Sequence, residues 1–141
     1  MPTAVVFWWR WLVAATVGVL LFGAAMVVLP GPTALFFNLL LFATPAGDPA
    51  LVGAAPYLRF VYAVLGAVMV GWAVALLCLL YGPFRRGARE GWVAVAISLA
   101  AWFGPDTALS LWTGFWPNAV LNAVFAVAFA IPLAATRRAF L

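Results

Sequence analysis

Apolar residues fall into four long stretches, at 11–29, 57–81, 92–113 and 117–136, each closed by arginines or by a proline–glycine break. About 20 consecutive apolar residues cross the roughly 30 Å hydrocarbon core as one α-helix, so each stretch predicts a transmembrane span. The first opens at Trp8-Trp9-Arg10-Trp11 and ends at Pro30-Gly31-Pro32. Indole rings beside a snorkelling arginine mark the headgroup level at its start. The second carries Tyr57 and Tyr81 at its ends. The third would be too short if it stopped at Phe103. It is expected to run through Gly104-Pro105 to about Thr113 with a proline kink, which neighbouring membrane helices make tolerable. The fourth opens at Pro117, suited to a first helical turn, and closes at Arg137-Arg138. Residues 34–42 form an apolar run too short to span, expected as an interfacial helix on the bilayer or as a re-entrant element. The expected fold class is an all-α membrane protein: a four-transmembrane-helix bundle forming a single domain over 1–141. Both termini are expected to be cytoplasmic, with the short helix following the first span.

Composition strengthens this picture. The chain has 141 residues, 69% hydrophobic and 7% charged, against roughly 25% charged in a soluble domain. Three acids and seven arginines cannot cover a water-soluble surface of this size, so lipid is the main solvent. The net charge of +4 is not a nucleic-acid footprint, because the arginines lie at chain ends and between apolar runs. Arg85, Arg86 and Arg89 predict a cytoplasmic loop by the positive-inside rule. Arg10 and Arg137-Arg138 fall on the same side, Asp48 on the other, and Arg59 alone goes against the trend. The run at 11–29 exceeds the 7–15 residues of a usual signal-peptide core and is expected to be retained as a span. These features predict a multi-pass protein of a bacterial inner membrane. With no His and only Cys78, haem, zinc and dithiol chemistry are not expected, and no cofactor or metal is assigned.

Between membrane helices the driving force is close van der Waals contact, so small residues spaced four apart mark interfaces. Three such ladders stand out: Ala63, Ala67, Gly71 and Ala75 in the second span; Ala96, Ala100 and Gly104 in the third; Ala126, Ala130 and Ala134 in the fourth. Gly104 and Asp106 lie on nearly opposite faces at about 100° per residue. If Asp106 looks inward, the Ala96-Ala100-Gly104 ladder looks outward and becomes a candidate oligomer interface, unless the kink at Pro105 re-aims either half.

The polar side chains concentrate in 102–122, W-F-G-P-D-T-A-L-S-L-W-T-G-F-W-P-N-A-V-L-N. Asp106 and Ser110 are four apart and share a helix face. Depth along the helices places Asp106 opposite Asn122 and Ser110 opposite Asn118, at a rise of about 1.5 Å per residue. A carboxylate within the membrane needs an inward-facing partner, and Arg59 is the one cation expected on that side. The candidate pocket is therefore Arg59, Tyr62, Trp102, Asp106, Ser110, Asn118 and Asn122, in the outer leaflet, framed further by Tyr57, Trp112 and Trp116. The same residues are also readable as a clamp that fixes helix register, Asp106 as a loop residue if the third span ends early, and the rim tryptophans as belt anchors.

The segments R-F-V-Y-A-V-L-G-A-V-M-V-G-W (59–72), W-F-G-P-D-T-A-L-S (102–110) and G-F-W-P-N-A-V-L-N (114–122) resemble a family of small four-helix bacterial integral membrane proteins of uncharacterised activity. That resemblance covers roughly the second half of the chain and implies an architecture without an activity. Small multidrug transporters share the size but need a membrane-embedded Glu in the first span, which is absent here. Two functional readings follow. One is a protein that binds or transports a small or amphipathic ligand through the outer-leaflet pocket. The other is an accessory or structural subunit whose polar cluster is a clamp, with a homo-oligomer or another membrane protein as partner. One inward acid and one arginine give little material for acid–base catalysis, so an enzyme is not expected.

Overall fold

Every described residue outside short turns is helical. The computed structural model describes residues 3–141, which form α1 (Thr3–Val28), α2 (Pro30–Phe42), a 3₁₀ segment (Pro49–Ala54), α3 (Ala55–Leu79), a π-turn (Leu80–Phe84), α4 (Arg89–Trp112) and α5 (Trp116–Phe140). Four of these segments are long and apolar enough to cross a membrane, which makes the chain a multi-pass, all-α membrane bundle. α1 begins two turns before the expected start. Arg10 therefore lies inside the helix, where apolar Val5 to Trp9 continue the helical run. α4 does continue through Pro105 to Trp112. α2 is the expected short helix; its 13 residues are about 20 Å long, too short for the roughly 30 Å bilayer core.

The chain falls into two compact units. One comprises the chain up to Val17 with Val74–Leu141, and the other is Gly18–Ala73. α1 and α3 each contribute to both.

In the 18–73 unit, α1 and α3 approach at two glycines. A Cβ on Gly66 would stand 2.5 Å from the Gly23 carbonyl oxygen and 2.7 Å from Met26 Cβ, and one on Gly23 would stand 2.8 Å from the Gly66 carbonyl oxygen. α2 turns back so that Phe36 meets Phe22 edge-on at 5.8 Å, while Phe37 stacks on Tyr62 of α3 at 4.7 Å and 14°.

The other unit is held largely by α4 against α5 and against the π-turn. Buried positions on α5 are Ala119, Asn122, Phe129, Pro132, Leu133, Thr136 and Phe140, with Phe129, Leu133 and Phe140 the large side chains among them. Gly91 lets α4 start directly on the π-turn, since a Cβ there would lie 2.7 Å from the Pro83 carbonyl carbon and 2.8 Å from Phe84 Cα.

Three indole N–H groups tie α1 and α4 to backbone carbonyls of neighbouring segments. Trp9 Nε1 donates to the Leu80 carbonyl at 2.9 Å, Trp11 Nε1 to Ala128 at 2.9 Å and Trp92 Nε1 to Leu133 at 3.0 Å. The Trp11 bond has a specific cause. Pro132 has no N–H, so the Ala128 carbonyl loses its helical donor four residues on. Trp11 supplies a replacement, in a solvent that offers none. Trp11→Phe is expected to cost about 1–2 kcal/mol. Adding Pro132→Ala, which returns a backbone donor to Ala128, should recover part of that loss. SDS-unfolding midpoints followed by tryptophan fluorescence would test both; a double variant no more stable than Trp11→Phe would refute the replacement.

The small-residue ladders do not mark the packed faces. Ala67, Gly71 and Ala75 are exposed, as are Ala100 and Gly104, and Ala130 and Ala134. In an alanine-rich chain such spacing arises on several faces. The face that packs is chosen by the two glycines and by large residues that fill the contact. The exposure of Ala100 and Gly104 agrees with Asp106, half-buried, looking the other way.

Candidate functional site

The seven candidate residues divide between the two units. Asp106, Ser110, Asn118, Asn122 and Trp102 belong to the unit of α4 and α5, and Arg59 and Tyr62 to the other.

Asp106, Ser110 and Asn118 meet where α4 turns into α5 through Thr113–Phe115, with Gly114 at φ 82°. Asn118 Nδ2 donates to Asp106 Oδ1 at 3.0 Å and to Ser110 Oγ at 2.9 Å. The Ser110 hydroxyl lies 2.7 Å from the Asp106 carbonyl oxygen and 3.3 Å from Asp106 Oδ1, so it donates to one or the other. Both amide hydrogens of Asn118 are thus used within the cluster. The expected one-to-one pairing of Asp106 with Asn122 is not the arrangement found, because one forked amide bridges two residues a turn apart. Asn122 is buried at 4% exposure, and neither its Nδ2 nor the buried Thr107 Oγ1 has a partner among the described residues. Trp102 is half-buried, whereas Trp112 and Trp116 are exposed, the placement of belt anchors.

At the other end of the same unit, six arginines are gathered. Arg85 lies over the Trp9 ring at 5.0 Å, Phe84 packs on Phe140 at 4.6 Å, and Trp92 bonds to Leu133. These contacts bring Arg10, Arg85, Arg86, Arg89, Arg137 and Arg138 to one side, all exposed. Asp106 is 17 residues along α4 from Arg89, or about 25 Å away.

Arg59 and Tyr62 line a hollow of about 210 Å³ inside the 18–73 unit, together with Asn38, Asp48 and apolar residues including Leu51 and Leu58. The local sequence explains its shape. α2 ends on Ala43 in the left-handed region at φ 55°, which reverses the chain. Asn38 Nδ2 donates to the Pro45 carbonyl at 3.1 Å and ties the reversed strand of loop to α2. Gly47 follows at φ 71°, and a Cβ there would meet the Asn38 amide at 2.7 Å. Asp48 then caps the 3₁₀ segment, its Oδ1 accepting from Ala50 N–H at 2.9 Å. Ala55, Leu58, Arg59 and Tyr62 come from one face of α3 at three-and-four spacing. Among the described residues Arg59 forms no ion pair and no hydrogen bond. Tyr57 points away, 67% exposed.

Asn38 and Asp48 were not among the sequence candidates. The signal available was local: an amide in an apolar helix, followed by Pro-Ala-Gly-Asp-Pro, where Asp before Pro favours a cap.

No family model, no curated protein and no solved structure matches this chain, so the geometry of these two groups of residues is the ground for any functional reading.

Proposed function

We propose that this protein is a multi-pass bacterial inner-membrane protein that binds a small or amphipathic ligand in the hollow lined by Asn38, Asp48, Arg59 and Tyr62. The Asp106–Ser110–Asn118 cluster is a clamp that fixes α5 against α4. The carrying observation is that Asn38, Asp48, Arg59 and Tyr62 line one concavity with apolar walls, with no ion pair or hydrogen bond to Arg59 among the described residues. That mixture of mostly apolar lining and few polar groups is typical of ligand sites. Arg59 offers five N–H donors in a fixed fork suited to phosphate or carboxylate. The arginine-rich end faces the cytoplasm under the positive-inside rule.

Native mass spectrometry of the protein released from membranes tests this reading. Wild type should retain an adduct that Arg59→Gln loses at least about tenfold, since hydrogen bonds to charged groups contribute about 1.5–3 kcal/mol. Equal retention by both proteins would refute it.

A second reading, an accessory subunit of a membrane complex, draws on the clamp, whose polar groups are largely consumed by one another. Pull-down from gently solubilised membranes at fixed stoichiometry separates the two: a constant partner with no adduct favours the subunit.

A further inference from the structure

We propose that the hollow is a zwitterion site, with Arg59 taking the phosphate or carboxylate and Asp48 the ammonium group of one ligand. This inference rests on the reading that the hollow binds a ligand at all. Arg59 and Asp48 line the same hollow, yet among the described residues they form no ion pair with each other. Opposite charges left apart in a partly apolar concavity complement a molecule that carries both charges at a matching separation. Neither side chain is consumed elsewhere. The guanidinium has no hydrogen bond among the described residues, and Asp48 uses only Oδ1, on Ala50 N–H at 2.9 Å. The carboxylate is held in place by the loop, since the Asn38–Pro45 bond and the Gly47 turn immediately precede it. Tyr62 is fixed as a wall by its stack on Phe37.

Size narrows the class. A hollow of about 210 Å³ suits a headgroup and not a whole lipid. Leu51, Val52 and Leu58 leave an apolar part of the lining for the carbon skeleton beside the charges. The shared chemistry is an ammonium joined to a phosphate or carboxylate through a few carbons. It is carried either by an ethanolamine lipid headgroup or by a free soluble zwitterion.

The test uses the full chain in phosphatidylglycerol nanodiscs doped with phosphatidylethanolamine, read by native mass spectrometry, with soluble glycerophosphoethanolamine titrated in a separate arm. Wild type should select the ammonium-bearing probe over phosphatidylglycerol by about tenfold. Asp48→Asn keeps the capping oxygen, so it should fold normally while its selectivity falls to about twofold or less. Arg59→Gln should weaken every probe. Retention of phosphatidylethanolamine places the source in the bilayer, and binding of glycerophosphoethanolamine alone places it in solution; either supports the zwitterion. Equal retention of both lipids by wild type, lost in Arg59→Gln, overturns the zwitterion and leaves an anion site. No difference between wild type and Arg59→Gln for any probe overturns the ligand reading too. Selectivity unchanged in Asp48→Asn overturns the role of Asp48.

Discussion

Gly66→Leu is expected to destabilise the protein by about 3 kcal/mol or to prevent folding, whereas Gly71→Leu, five residues along the same helix, is expected to be near neutral. The contrast follows from what each new side chain would meet. At Gly66 even a Cβ lands on the Gly23 carbonyl and on Met26 Cβ. Neither is the free end of a flexible side chain, so the two helices must separate. At Gly71 nothing lies within 4 Å. Helix association in a bilayer depends on contact and not on escape from water, so separating α1 from α3 forfeits the attraction itself. Gly23→Leu should behave like Gly66→Leu. The eight tryptophans give an intrinsic signal for reversible SDS unfolding. A Gly66→Leu midpoint within error of wild type would remove the glycine contact from any account of this fold.

That pair of variants also shows what was readable in the chain beforehand. Spans of about 20 apolar residues must be helices in lipid, because every backbone group has to bond within its own segment. The four apolar spans, the continuation past Pro105 and the short helix after α1 were therefore legible. Which faces pack was not. Gly71 belongs to a small-residue ladder and is exposed, whereas Gly66, which packs on Gly23, stands between Tyr62 and Val70 in no such ladder, so four-residue spacing pointed to the wrong glycine. A better signal was present in α1, where the buried Val5, Leu12, Val19 and Met26 recur every seven residues. A seven-residue period marks one continuous seam. The site was half legible for a related reason. Asp106 and Ser110 share a face of α4, and Asn118 follows just past the short turn at 113–115, so local geometry brings the three together. Arg59 was assigned to Asp106 by charge alone, whereas its hollow is built by Asn38, Gly47 and Asp48. Those residues act through a chain reversal at Ala43 that no periodicity announces.

The second large effect concerns the clamp and carries a reversal of sign. Asn118→Leu should cost about 3 kcal/mol, because it strips Asp106 Oδ1 and Ser110 Oγ of the amide that serves both at 3.0 and 2.9 Å. A half-buried carboxylate is then left facing an apolar side chain near the turn between two membrane helices. Replacing Asp106 as well removes the group that suffers. Polar pairs exchanged together for apolar residues of similar size are often close to neutral, whereas breaking one side is costly. Ser110 keeps an acceptor in the Asp106 backbone carbonyl at 2.7 Å, which the side-chain change leaves in place. The double variant Asp106→Leu/Asn118→Leu should therefore unfold at a higher SDS fraction than Asn118→Leu alone. It should also retain whatever adduct wild type carries, because a clamp contributes packing and not recognition. A double variant that folds as well as wild type yet loses the adduct would return Asp106 to the binding site and leave the hollow around Arg59 without its proposed role.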